Sequence, residues 1–311
     1  MDLSIVLPVH DEKGNLIPLH REIKDVMKGI TDDHEIIFVD DGSADKSFEE
    51  MKKIRENDNK VKILKFKKNF GQSVALQAGF DYARGDVIVT MDADFQNDPK
   101  DIPKLLEKLN EGFDCVSGWR QKRKDPLEKR IFSKIASKMR RKFIDAKTHD
   151  YGCALKAFKR DCLKDLELYG EMHRYIPPLL RWKGHRIEEV EVNHRERRNG
   201  KTKYNWQRLG KGFIDMINVW FWQKYSNRPL HIFGGLGLVL FSLGFIGLLY
   251  SFYQKLFFGM DLTRDFLPVG SFLTVIIGVN FFVSGLLADI ALKNYYSGMG
   301  RKTYTIEEVV R

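Results

Sequence analysis

Cysteine is scarce in this chain. There are three in 311 residues, Cys115, Cys153 and Cys162, scattered without metal-ligand spacing. That excludes a disulfide framework and fits a reducing compartment. Internal repeats and low-complexity segments are absent. The opening "MDLSIVLPVHDEKGN" lacks a basic n-region, and its apolar run is short. No signal peptide is therefore expected, and the first domain is expected to stay on the cytoplasmic side. Acidic residues are outnumbered, 42 to 52, leaving a net charge of +10. Long apolar runs are missing before Leu230.

After Leu230 they dominate. Leu230 to Tyr253 and Phe266 to Leu292 are each longer than the ~20 residues a helix needs to cross a bilayer. The mean hydropathy of −0.35 hides this shift. Gly234, Gly235, Gly244, Gly278, Ser284 and Gly285 suit close helix packing. The alternative is a pair of buried helices in a soluble core. Lys224 and Arg228 precede the first run, and Lys293, Arg301 and Lys302 follow the second. The loop between them is charge-balanced, so positive-inside logic puts both termini and the large domain in the cytoplasm. The expected layout is a catalytic domain over 1–204, a juxtamembrane helix over 205–229, two spans over 230–292, and a cytoplasmic tail over 293–311.

The first part alternates strand and helix signals. Strands are expected at 3–9, 35–41, 62–66, about 86–92 and 114–119. Helices are expected over 15–30, from about Ser43, over 72–83 and over about 100–110. Repeated βα units predict a mainly parallel sheet with helices on both faces. Ligands bind such sheets beyond the carboxyl ends of the strands. Acids gather there in "VTMDADFQNDP". Asp92 and Asp94, one residue apart, can offer oxygens to one hard cation that a diphosphate would complete, with Gln96 as a neutral third donor. Asp98 before Pro99 reads as a helix cap. Asp40 and Asp41 precede Gly42-Ser43, which fits a tight turn. Asp40 also stands where it can accept hydrogen bonds from a base or ribose.

Residues 127–144 read as a basic amphipathic helix, with Ile131, Phe132, Ile135, Met139 and Phe143 on one side. Such a helix lies on an anionic membrane, unless it is an ordinary surface helix. Residues 205–225 are similar and carry Trp206, Trp220 and Trp222, suited to an interfacial belt. Arg130 and Ser133 are three apart and share a face of the first of these helices.

Four segments, "VLPVHDEKGNL", "FVDDGSADKS", "NFGQSVALQAGFDYARGD" and "MDADFQNDP", occur in this order and spacing. Together they resemble family 2 glycosyltransferases with the α/β, Rossmann-like GT-A fold. Within that family the resemblance is to polyprenyl-phosphate glycosyltransferases: dolichol-phosphate mannosyltransferases and bactoprenol glucosyltransferases, the latter with two terminal spans. The resemblance implies roles by position. Pro8, Val9, His10 and Glu12 would line the nucleotide pocket, although His10-Asp11-Glu12 replaces the usual aromatic before Asn-Glu. Asp40, with Asp41 beside it, would contact the nucleotide, as would Gly71, Gln72, Asp92 and Ala93. Asp92, Asp94 and Gln96 would hold Mg²⁺ or Mn²⁺ and the diphosphate. Asp150 would lie near the acceptor. His194, Arg197, Lys201, Thr202 and Lys203 would face phosphates, and Arg120, Arg130 and Ser133 would receive the acceptor phosphate.

The implied reaction is inverting transfer of one hexose from a nucleotide sugar to polyprenyl (undecaprenyl) phosphate, giving a lipid-linked sugar for the cell envelope. UDP-glucose is the first expectation, and GDP-mannose with a dolichol-type acceptor is the alternative. A processive synthase of the same fold would carry Gln-x-x-Arg-Trp. Here Arg181-Trp182 is present, but Pro178 stands in place of the Gln. A silent lipid-binding scaffold would not need Asp92, Asp94 and Gln96. The expected partners are nucleotide sugar, lipid phosphate and bilayer, with the spans as a route to a homo-oligomer; no nucleic acid is expected.

Overall fold

The computed structural model describes residues 2–121, 148–164, 166–168, 170–195, 229–259, 265–297 and 306–310. The chain forms two units, 1–220 with 302–311, and 221–301. The expected amphipathic helix at 127–144, most of the juxtamembrane segment, and Arg130, Ser133, Arg197, Lys201, Thr202 and Lys203 lie outside the described residues.

The first unit is built on one sheet. Its strands are β1 (Leu3–Val9), β2 (His34–Asp40), β3 (Val61–Phe66), β4 (Val87–Thr90), β5 (Cys115–Trp119), β6 (Lys156–Lys159), β7 (Ile187–Glu191) and β8 (Ile306–Val310). They lie in the order β7-β5-β6-β4-β1-β2-β3-β8. The β1–β2, β1–β4, β2–β3 and β5–β7 pairings are parallel; the other three, β4–β6, β5–β6 and β3–β8, are antiparallel. The expectation of a mainly parallel sheet therefore holds for its centre, and the whole sheet is mixed. Strands β6 to β8 escaped the sequence reading. They are short, and β7 ("IEEVE") and β8 ("IEEVV") are half acidic.

Helices α1 (Leu16–Met27), α2 (Ser47–Asn57) and α4 (Ile102–Asn110) cover one face; α3 (Gln72–Tyr82), α5 (Arg160–Leu163) and α6 (Ile176–Trp182) cover the other. A sheet covered on both faces needs apolar side chains in both directions. Strand β1 supplies them: Leu3, Ile5, Leu7 and Val9 enter one core, and Val6 enters the other. Helix α3 comes close to β1 at Gly79, where an added Cβ would meet Val6 Cγ1 at 2.2 Å. Helix α2 begins four residues after the expected Ser43, because 43–46 are tied to the 11–13 loop.

The second unit holds α7 (Pro229–Phe258) and α8 (Phe266–Ser297). Both outlast the apolar runs that announce them. Both are long and apolar enough to cross a membrane, with span hydropathies of 2.3 and 2.1. Leu243, Ile246 and Phe252 are 60–61% exposed. A buried core pair would hide them, so the soluble-core alternative fails. The two helices pack on each other through glycine. An added Cβ on Gly278 would meet Phe241 N at 2.5 Å and Gly237 O at 2.7 Å; on Gly244 it would meet Ser271 O at 2.7 Å. Gly235, expected in this seam, faces open space, while Gly237 and Gly247, not singled out from the sequence, belong to it.

Candidate active site

The ladder pattern brings six strand ends to one edge. The carboxyl ends of β1, β2 and β4 lie side by side because those strands are parallel. Strand β6 runs the other way, so its first residue, Lys156, lies at the same edge opposite Thr90. Strands β5 and β7 finish there too.

Asp92 and Asp94 follow β4. Gln72 Nε2 donates to Asp92 Oδ1 at 2.7 Å, and the backbone N–H of Gln96 donates to Asp94 Oδ1 at 3.1 Å. Burial and the nearby Asp94 charge push the Asp92 carboxyl up to about 6, against the pull of Lys156 and Arg120. Two desolvated carboxylates that repel each other are stabilised by a cation between them. The turn is strained as well: Phe95 has φ 67° and its side chain is buried in the core. Such strain persists where surrounding structure over-determines it, commonly at functional sites. Among the described residues no cluster of three His, Cys, Asp or Glu could hold a metal unaided. The hard oxygens of Asp92 and Asp94 do fit Mg²⁺ or Mn²⁺ whose remaining ligands come from substrate and water. Asp98 caps the following turn, accepting from Lys100 N at 3.0 Å, as the sequence predicts.

The loops that follow β1 and β2 are laced together. Asp11 Oδ1 accepts from Ala44 N at 2.8 Å, Glu12 N donates to Ser47 Oγ at 2.9 Å, and Lys13 N donates to Asp45 Oδ2 at 3.1 Å. Asp40 is buried. Its Oδ1 accepts from Ser43 N at 3.0 Å, while Oδ2 has no partner among the described residues. His10 Nδ1 is likewise buried without a partner among them. Burial pushes the Asp40 carboxyl up. An orphaned carboxylate oxygen of this kind calls for an N–H or O–H donor.

Several expected residues take other work. Asp41 accepts from the backbone N–H of Phe70 at 2.7 Å and of Gly71 at 3.0 Å, so it holds the entry to α3. Gln72 anchors Asp92. The side chains of Val9 and Ala93 are buried in the core, so only their backbones can face a ligand; Pro8 remains half-buried.

Just beyond β5 Arg120 and Asp150 find each other. Arg120 Nε donates to Asp150 Oδ2 at 2.7 Å and Nη2 to Asp150 Oδ1 at 3.0 Å. This bidentate pair fixes the plane of the Arg120 guanidinium. Glu189 of β7 holds the neighbouring backbone, accepting from His149 N at 2.9 Å and Asp150 N at 3.1 Å. His194 forms a bridge with Asn97 that draws this segment onto the loop after β4. Arg195 strengthens that contact: its Nη2 lies 2.6 Å from Asp98 Oδ1 and its N–H donates to Gln96 O at 3.0 Å. Sequence reading missed Glu189, Arg195 and Lys156. The alternation in "CALKAFK" was the available signal for the last, since it puts Lys156 and the buried Phe158 on one strand face.

Residues 4–167 match the family described as Glycosyl transferase family 2. The chain is 36% identical to a dodecaprenyl-phosphate galacturonate synthase of Rhizobium johnstonii, over 99% of this chain and 93% of that protein. It is 31% identical to an undecaprenyl-phosphate 4-deoxy-4-formamido-L-arabinose transferase of Shewanella sediminis, over 99% and 92%. Glucosyl-3-phosphoglycerate synthase from Mycobacterium tuberculosis, solved with Mn²⁺, UDP and phosphoglyceric acid, shares the fold. Its TM-score is 0.55 at 20% identity, covering 71% of this chain and 78% of that one. The same synthase has been solved with Mg²⁺ and UDP. By this family match and these relatives, the chain belongs to glycosyl transferase family 2 and is a glycosyltransferase of the GT-A fold.

Proposed function

We propose that this enzyme transfers one sugar from a UDP-sugar to a polyprenyl phosphate at a membrane surface. The observation that carries the reading is the shared edge: Asp92 and Asp94 at the end of β4, the orphaned Asp40 oxygen on one side, and the Arg120–Asp150 pair on the other. The uracil ring offers one N–H, suited to Asp40 Oδ2. The relatives' names, galacturonate and formamido-arabinose on polyprenyl phosphates, support the acceptor class. The two apolar helices support delivery from a bilayer.

Asp92 and Asp94 would hold a divalent cation, whose chemistry is to neutralise charge on the departing diphosphate. Gln72 keeps Asp92 turned toward that position. The acceptor arrives largely as a dianion, since a phosphate monoester loses its second proton near pH ~6. It therefore needs orientation more than deprotonation. Arg120, held in a fixed plane by Asp150, is placed to receive it. In-line attack on the anomeric carbon inverts that centre, so catalysis rests on positioning and charge.

The deciding experiment offers radiolabelled UDP-glucose, UDP-galacturonate and GDP-mannose to membranes containing the protein and undecaprenyl phosphate. Label from a UDP-sugar, with UDP-glucose expected first, should enter the lipid phase. Lipid labelling from GDP-mannose alone, or from no donor, overturns the reading.

A further inference from the structure

One buried charge at the edge takes no part in the chemistry above. Lys156, the first residue of β6, is 4% exposed. Its backbone pairs with Thr90 on one side, two residues before Asp92, and with Ser117 of β5 on the other. Among the described residues Lys156 forms no ion pair; its ammonium donates to the carbonyl of Cys153. Ser117 is fully buried, and its hydroxyl has no partner among the described residues. Arg120, another cation at this edge, is paired with Asp150 through Nε and Nη2. Lys156 is thus a buried cation on the strand beside β4, opposite the residue two before Asp92; burial lowers its pKa, which Asp150 and Asp92 among its neighbours pull back up, and Lys156 in turn draws the Asp92 carboxyl down. A lysine kept dry without a carboxylate partner is costly unless its field has a use.

We propose that Lys156 is a positioning cation for the metal site, offsetting part of the charge of Asp92 and Asp94 so that a divalent cation is held firmly only together with the donor diphosphate. This rests on the reading of Asp92 and Asp94 as metal ligands. Against Lys156 alone, the carboxylate pair presents a net charge near −1, weak bait for a dication. The diphosphate brings further oxygens and negative charge, and the balance tips toward binding. Metal and donor then load as a unit. A field inside a protein is much less screened than in water, so removing one unit charge here should change dication affinity about tenfold. The bland alternative is that Lys156 merely ties down the turn at Cys153.

The test uses the full chain in detergent at pH 8, with Mn²⁺ as probe and electron paramagnetic resonance reading free Mn²⁺, without and with UDP. Wild type should bind Mn²⁺ at least about tenfold tighter with UDP than without. Lys156→Met should bind Mn²⁺ alone about tenfold tighter than wild type, shrinking the effect of UDP, while Lys156→Arg should keep the wild-type pattern. Ser117→Asp, which places a counter-charge beside Lys156, should move in the direction of Lys156→Met. The proposal is overturned if either folded neutralising variant binds Mn²⁺ alone no tighter than wild type. It is also overturned, without any variant, if UDP does not raise wild-type Mn²⁺ affinity. Failure of the metal reading itself looks different: Asp94→Asn would then bind Mn²⁺ with UDP as well as wild type does.

Discussion

Asp92 is bound by Gln72, repelled by Asp94 and shielded from water, so its ionised form is tolerated rather than favoured. Asp94→Asn should reduce transfer at least a hundredfold while leaving the fold intact, measured as label entering lipid beside a circular dichroism spectrum. Gln72→Leu should cut transfer about tenfold, the loss expected when ~1.4 kcal/mol of orientation is removed. A second residue-scale prediction concerns His173. Ser73 Oγ accepts from His173 N at 3.1 Å and lies 2.9 Å from His173 Nδ1, so one hydroxyl ties down both the backbone and the ring. Burial, then the charges of Arg174 and Lys156, push this imidazole down to about 3. Between pH 6.5 and 3 the unfolded chain takes up a proton that the folded chain refuses. Stability supplied by this group is complete above pH 6.5 and falls as the pH drops. The loss at pH 5 is about 2 kcal/mol by linkage. Wild type should therefore lose more melting temperature from pH 7.5 to pH 5 than His173→Asn does. Equal losses would contradict the assignment. At this scale the sequence exposed the acids, because Asp-x-Asp directly follows an apolar strand. It hid Lys156 and Glu189, because antiparallel β6 and distant β7 bring them to the edge.

Elements explain which parts of the fold could be read. Strands β1, β2 and β4 are apolar in both directions and are followed by helical periodicity, so their order and ends were evident. Asp41 was read as a ligand contact because it sits beside Asp40. In the folded chain successive residues at a strand end turn opposite ways, and Asp41 closes on the Phe70–Gly71 backbone instead. The seam of α7 and α8 was legible as a glycine pattern but not in its register, since several glycines compete for one face. Gly278 makes the tightest approach to backbone in the seam: an added Cβ would lie 2.5 Å from atoms that cannot yield. Gly278→Val should separate the helices, seen as increased proteolysis between residues 259 and 265 and lower yield in membranes. Gly235→Val, on open surface, should have neither effect. Close packing of small residues is one of the forces that hold helices together in lipid, which is why adding an isopropyl group at this point is expected to matter.

At the scale of the whole molecule, the chain leaves the sheet-bearing unit, passes through two apolar helices and rejoins that unit as its last strand. The expected tail over 293–311 is therefore in part structural: α8 extends to Ser297, and residues 306–310 form β8. Strand β8 pairs antiparallel with β3, with Ile63 opposite Val310 and Lys65 opposite Glu308. Without it β3 would be an edge strand with open N–H and C=O groups, a template for unwanted pairing. The return also constrains membrane topology. If α7 and α8 each cross the bilayer once, the segments before and after them emerge on one side, and only then can β8 reach β3. A single crossing would strand β8 across the membrane. Cysteines introduced at Asp2 and Arg311, in a background without Cys115, Cys153 and Cys162, should thus react with a membrane-impermeant maleimide from the same side of sealed vesicles. Removing residues 306–311 should speed amide exchange in β3, at Ile63 and Lys65, while leaving β1 and β4 protected, because the lost pairing lies at the rim and the site edge lies at the centre. Labelling from opposite sides, or unchanged exchange in β3, would refute the closed return of the chain.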